Sequence, residues 1–349
     1  MIKNKRFASI EALRFFFILQ ICIWHFGSSM TAGFLGVEFF FILAGVFIYI
    51  NLQSNSHNDS TIEYIYKKVK KFYLEYIIAL ILAYIVSHSL VIENISNNGV
   101  GGEFMRFISQ LLLIQNISPF PGGYNTPTWF FSILIWGSAF VYALTKDYSK
   151  ISIRLIFPIA LILFLSYAYN SVYGEGLEQW GIRGILPITL VRGFVEIGFG
   201  VIVGYVYTNY IKRINISRWI VNLITVISII LYILIVFSNN KITQYSFIFI
   251  PVIIIAGLME DSFISKLFNG KIWLILGQLS FPMFLIHISI IKVINHILWI
   301  FNLTYPRGGY LYIITLIIYI ITLIISSYLF MAFCNYIKMR LCRNQKVIS

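Results

Sequence analysis

The sequence predicts an all-α fold, a polytopic transmembrane helix bundle of about ten spans with both termini in the cytoplasm. Three observations carry that expectation. Hydrophobic residues make up 59% of the 349-residue chain and charged residues only 11%, where a soluble domain has about a quarter charged. Apolar runs long enough for a bilayer recur from near residue 9 to near residue 337, and the mean hydropathy is +0.84. Basic residues gather in alternate connecting segments. Alternating ten-residue strands, the signature of a membrane β-barrel, are absent from the sequence. No polar stretch is long enough to enclose its own core, so 1–349 reads as a single integral-membrane domain with a basic tail at about 338–349.

The ten spans fall at roughly 9–28, 36–53, 72–92, 128–145, 153–170, 192–211, 219–237, 244–259, 272–291 and 309–337. The first is too long for a signal peptide and lacks a small-residue cleavage site, so it is expected to stay as an uncleaved span. With the N-terminus inside, 19 of the 26 basic residues lie on the cytoplasmic side, including Lys67, Lys68, Lys70, Lys71, Lys146, Lys150, Lys338 and Arg340. The other seven are Arg14, Arg106, Arg183, Arg192, Lys241, Lys292 and Arg307. The net charge of +13 therefore reports topology and attraction to anionic membrane lipid, and no nucleic-acid partner is expected.

Between the third and fourth spans lies "EFMRFISQLLLIQNI", apolar on one face and too short to span comfortably, which is expected as an interfacial or re-entrant half-helix. It is followed by the aromatic, Pro/Gly-rich turn "SPFPGGYNTPTWFF". A second outside segment, 171–191, carries Glu175, Glu178 and Arg183. These loops either hold a ligand or merely connect. Span ten is long enough to tilt or to extend into the cytoplasm. Cys22, Cys334 and Cys342 offer neither a disulfide framework nor metal-ligand spacing, and no metal is expected.

Chemistry concentrates in the first hairpin. In "RFFFILQICIWH", Arg14 and His25 are eleven residues apart, about three turns plus 20°, so they share a face. They are separated along the axis by about 16 Å, half the hydrocarbon thickness. The turn "SSMTAGF" would bring His25 and Glu38 to similar depth, and an imidazole oriented by a carboxylate is the arrangement of a general base. Ionisable residues inside a membrane are functional candidates by default. A bland reading stands beside this one, in which Glu11, one turn below Arg14, simply neutralises it. Arg192 and Glu196, one turn apart in span six, read as an i, i+4 anchoring pair or as part of a substrate site. His88 and His296 look interfacial, and His57 lies on an inside loop. Trp129 and "FPGGY" either stack on sugar rings or belong to the aromatic belt.

These segments resemble the acyltransferase family 3 proteins, bacterial integral-membrane enzymes that acylate, often O-acetylate, surface polysaccharides of the cell envelope. "RFFFILQICIWH" has that family's R-x10-H spacing. "GVEFFFILAGVFI" is similar to its G-V-[DE]-x-F-F-x-L-S-G-F-x-I stretch. "KKVKKFY" resembles R-x-x-R-I-Y, with Lys68 and Lys71 in the arginine places. "LGQLSFPMFLIH" matches a segment ending in histidine, and "TWFFSILIWGSAFVY" matches W-x-L-x-x-E-x-x-F-Y. The resemblance covers most of the chain in the right order. Four departures mark a divergent member: Ala44 for serine, Val46 for phenylalanine, lysines for arginines, and Leu134 or Ile135 where an acid belongs. Lysine keeps the charge but loses the bidentate fork.

The resemblance implies a bacterial inner-membrane acyltransferase. Its donor would be acyl-CoA, acetyl-CoA above all, from the cytoplasm, and its acceptor a hydroxyl of an extracytoplasmic or lipid-linked polysaccharide. Arg14, with Lys67, Lys68, Lys70 and Lys71, would meet the donor, and His25 held by Glu38 would be the base. His287, with Ser280, would wall the acceptor site, and Pro282 would loosen that helix. Transfer would be direct, or would pass through a relay for which Cys22 is the one nearby thiol. A polysaccharide transporter fits ten spans equally well, although the single Pro-interrupted span near residue 282 lacks the paired partner of transporter repeats. A sensor or scaffold that keeps the fold without activity also stays open, because of the missing acid.

Overall fold

The computed structural model describes residues 7–27, 30–54, 59–90, 99–117, 123–170, 182–183, 186–214, 216–238, 240–303 and 309–348. Glu175, Glu178, His57, Arg307 and all of "SPFPG" in the aromatic turn lie outside them. The chain runs α1 (Ala8–His25), α2 (Gly36–Gln53), α3 (Thr61–Leu90), α4 (Gly99–Leu111), α5 (Trp129–Asp147) and α6 (Ser149–Asn170, with a π-helical turn at Ser152–Ile156). A two-residue antiparallel ribbon, β1 (Ile182–Arg183) with β2 (Leu186–Pro187), pairs Ile182 with Pro187 and Arg183 with Leu186. Then come α7 (Ile188–Asn209), α8 (Arg218–Val236), α9 (Ser246–Leu258), α10 (Phe263–Leu267), α11 (Lys271–Ile300) and α12 (Gly309–Ile348).

The fold is an all-α polytopic bundle. Among the described residues, eight helices are long and apolar enough to cross a membrane: α1, α2, α5, α6, α7, α8, α11 and α12. The third expected span falls in α3, whose 30 residues begin with a charged stretch. Its start is a capping box: Glu63 N donates to Ser60 Oγ at 3.2 Å, and Ser60 N donates to the Glu63 carboxylate at 2.8 Å. That backbone bond, with the Ser60 side chain, holds the Glu63 carboxyl below its ordinary range. The eighth expected span falls in the shorter apolar stretch Ile242–Leu258, which contains Pro251. The expected half-helix is α4, thirteen residues long. The expected tail at 338–349 is, as far as residue 348, a continuation of α12, about 60 Å of unbroken helix.

Helices alternate between a basic end, where α1, α3, α8 and α11 begin, and the opposite end, where α2, α5 and α7 begin. α2 is central, with 78% of its spanning window buried, and α12 is peripheral at 22%. The exposed Ile, Leu and Tyr along α8 and α12 form the bundle's apolar skin.

Two glycine contacts set the packing. A Cβ on Gly45 of α2 would overlap the Ile197 carbonyl oxygen of α7, and a Cβ on Gly200 would overlap the Ile42 carbonyl oxygen. Backbone meets backbone there, as small residues allow between membrane helices. A Cβ on Gly277 of α11 would overlap Glu11 of α1. α2 is thus seated on α7, and α1 on α11. Gly45→Ala should destabilise the protein by about 1–3 kcal/mol through overpacking. Gly101→Ala, where a Cβ meets nothing within 4 Å, should not. Unfolding in detergent, followed by thermal shift, compares the two.

Candidate active site

At the opposite end, the α2–α7 contact buries a three-residue ion cluster. Arg192 donates from Nε to Glu196 Oε1 at 2.8 Å and from Nη2 to Glu38 Oε1. Arg192 is 1% exposed, and Glu38 and Glu196 are fully buried. The guanidinium lies 5.9 Å from the centre of the Phe34 ring and 5.8 Å from that of Trp129. A charge so deep persists only when paired. The second oxygen, Oε2, of each carboxylate receives no hydrogen bond among the described residues.

The expected pairing of His25 with Glu38 is therefore corrected. Both residues do sit at the opposite end, one finishing α1 and the other near the start of α2. Depth, however, does not fix direction around a helix. Glu38 turns toward α7, where Arg192 takes it, and His25 turns toward α11. The half-buried His25 ring lies beside the fully buried His287 ring, with centroids 5.2 Å apart and planes at 40°. His287 Nδ1 is 2.8 Å from the Phe284 carbonyl oxygen, so that nitrogen is the donor and Nε2 the acceptor in the neutral ring. Among the described residues Nε2 has no partner.

The other expected residues divide. Arg14, 37% exposed, pairs with Glu11 at 3.4 Å, the neighbour that the sequence offers as its neutraliser. Ser280 donates to its own helix at Gly277 O, 2.7 Å away, one turn below Pro282. Trp129 packs beside the Arg192 guanidinium. Lys67 is an exposed cation paired with Asp59, and Lys71 lies further along the same charged stretch of α3. Lys68 is directed inward. Its Nζ donates to Ser138 Oγ at 2.7 Å, Tyr64 OH at 3.3 Å and Leu134 O at 3.5 Å, which uses its three protons. It thus meets α5 where the family resemblance expects an acid, and a hydroxyl with a main-chain carbonyl stand in for the carboxylate. Cys22 is fully buried, and its carbonyl accepts from Tyr319 OH at 3.2 Å.

A polar layer that sequence reasoning missed connects these parts. Asn125 donates from Nδ2 to Leu285 O at 2.7 Å, and its main-chain carbonyl accepts from Thr128 Oγ1 at 2.6 Å. Gln115 donates to Thr128 O at 2.7 Å, and Tyr76 OH to Gln110 O at 2.8 Å. Tyr124 donates to Glu103 at 2.9 Å, and burial followed by that carboxylate pushes its phenol up to about 12, so it stays a donor. The sequence signal for Asn125 was "NTPT", which reads equally as a helix-capping turn.

This fold and site define a class: a helical membrane protein that buries an arginine, two carboxylates and an imidazole within its bundle. A family model described as an acyltransferase domain matches residues 7–332, nearly the whole chain, and the chain belongs to that family, acyltransferase family 3. No curated protein and no solved structure matches it.

Replacing Arg192 leaves two buried carboxylates without their cation. Arg192→Met should cost about 3–5 kcal/mol of stability. The triple variant Arg192→Met/Glu38→Gln/Glu196→Gln should recover most of it. Denaturation of the purified proteins in detergent distinguishes the two; equal stability of Arg192→Met and wild type would show the cluster to be dispensable.

Proposed function

We propose that the protein transfers an acetyl group from cytoplasmic acetyl-CoA to a hydroxyl of an extracytoplasmic or lipid-linked polysaccharide, in a bacterial inner membrane. The observation that carries the reading is the imidazole pair, His25 with His287, held at the end away from the basic residues in a chain of the acyltransferase family. Arg14 supports it from about 16 Å below His25 on the same face of α1, one guanidinium along the line a donor would follow.

In the proposed reaction, His25 takes the proton from an acceptor hydroxyl as its oxygen attacks the thioester carbonyl. A C–O bond forms and the C–S bond breaks. The proton then passes from His25 to the leaving thiolate, so the products are the ester and the free thiol of CoA. Arg14 binds the anionic part of the donor, and Lys67, Lys70 and Lys71 at the basic end attract its phosphates. Lys68 instead secures α3 to α5 through the bonds described above. Glu38, committed to Arg192, contributes by fixing α2 and not by orienting His25. His287, its tautomer set by the Phe284 carbonyl, walls the acceptor side. Direct transfer suits this arrangement better than a relay, since Cys22, three residues before His25 in the chain, is fully buried.

Membranes containing the protein, supplied with labelled acetyl-CoA and de-O-acylated surface glycan from the producing cell, should transfer label to the glycan. His25→Ala should lower that transfer about 100-fold or more. Transfer by His25→Ala at the wild-type rate would remove His25 from the mechanism. Movement of glycan across vesicles with no acyl transfer would support a transporter instead.

A further inference from the structure

Beside the proposed base lies an arrangement that the reaction as described does not use. Asn125 and His287 attach to consecutive carbonyls of one α11 turn. Asn125 Nδ2 donates to Leu285 O at 2.7 Å, and His287 Nδ1 donates to Phe284 O at 2.8 Å. Each bond fixes the orientation of its side chain. With Nδ2 on a carbonyl, the other Asn125 atom is Oδ1, a pure acceptor. With Nδ1 on a carbonyl, His287 Nε2 is an acceptor too. Asn125 is 1% exposed and His287 fully buried, and among the described residues neither Oδ1 nor Nε2 has a partner. Gln115 Oε1, in the same polar layer, is a third buried acceptor that receives no hydrogen bond among the described residues.

Buried acceptors are ordinarily satisfied, and leaving one empty is costly. What completes this turn is a molecule that presents donors, one for each acceptor. A carboxylate or a phosphodiester has none to offer. Adjacent hydroxyls of a sugar ring supply one O–H to each acceptor. Tyr124, next to Asn125 in the chain, adds an aromatic face, with Tyr84 packed edge-on at a centroid distance of 4.9 Å and His88 at 5.2 Å.

We infer that Asn125 is a specificity-determining residue of the acceptor site. Asn125 Oδ1 and His287 Nε2 receive the O–H donors of a vicinal diol, so the acceptor is a glycan with neighbouring free hydroxyls. This rests on the acyltransferase reading above. One hydroxyl is held by Asn125 while its neighbour is presented to the imidazoles.

The test uses full-length protein in membranes, labelled acetyl-CoA, and one glycan probe in two forms: de-O-acylated surface glycan, and the same material oxidised with periodate, which cleaves vicinal diols. Wild type should acylate the first, and the second should neither accept label nor compete. Asn125→Leu should raise the KM for the glycan about ten-fold or more while leaving that for acetyl-CoA unchanged. Asn125→Asp, which keeps an acceptor atom but loses the donor to Leu285, should keep the glycan KM even if its folded fraction falls. If Asn125→Leu and Asn125→Asp lose stability alike with the glycan KM unchanged, Asn125 is only a clasp and the proposal fails. Oxidised glycan that competes as well as intact glycan overturns it without any variant, as expected if ordered water alone fills the acceptors. Absence of transfer to any glycan by wild type would instead overturn the acyltransferase reading, and the proposal with it.

Discussion

One arginine held between two carboxylates inside the bundle is the constraint on which the rest of the structure depends. Arg192 cannot be left alone in an apolar interior, and neither can Glu38 or Glu196. Their mutual satisfaction requires α2 and α7 to approach closely, and Gly45 and Gly200 permit that approach by removing side chains where the two backbones meet. The two requirements reinforce each other. Bulk at the glycines would pull the charges apart, and loss of the arginine would leave buried negative charge about two turns from the glycine contact. The most buried helix, α2, is thereby immobilised at the centre, and its neighbours take their places around it.

The polar layer extends from that cluster to the imidazole pair. Trp129 lies by the guanidinium; Thr128 and Asn125 precede it in the chain; Asn125 reaches α11 at Leu285; His287 follows two residues later; and His25 closes the sequence from α1. The links combine hydrogen bonds, from Asn125 to Leu285 O and from Thr128 to Asn125 O, with ring contacts between Arg192 and Trp129 and between His25 and His287. α4 is part of the same layer, because Gln110 and Gln115 fasten it and the chain after it to Tyr76 and Thr128. The half-helix is therefore a wall of the polar interior as well as an amphipathic surface element.

Several of these features were legible in the sequence, each for a local reason. Arg14 and His25 share a face because the helical period is fixed, and Arg192 meets Glu196 because four residues make one turn. Glu11 neutralises Arg14 for the same reason. The family motifs were readable as ordered segments, and the family match over residues 7–332 agrees with them. Glu38's partner was not legible, since Arg192 is 154 residues away. Nor was the inward turn of Lys68, because a lysine that snorkels to the surface and one that reaches into the bundle look alike in a basic run. Asn125 was hidden within a turn whose composition already explained its presence.

By itself the sequence determined the class of fold and the family. Crossing hydrocarbon demands long apolar helices, and the distribution of cations orients them. It also determined which side chains share a helix face, a matter of period alone. Only the tertiary structure decided which face meets which. Equal depth let His25 and Glu38 be matched on paper. The rotation of each helix about its own axis, set by glycine contacts and by the need to pair every buried charge, sent Glu38 to Arg192 and His25 to His287.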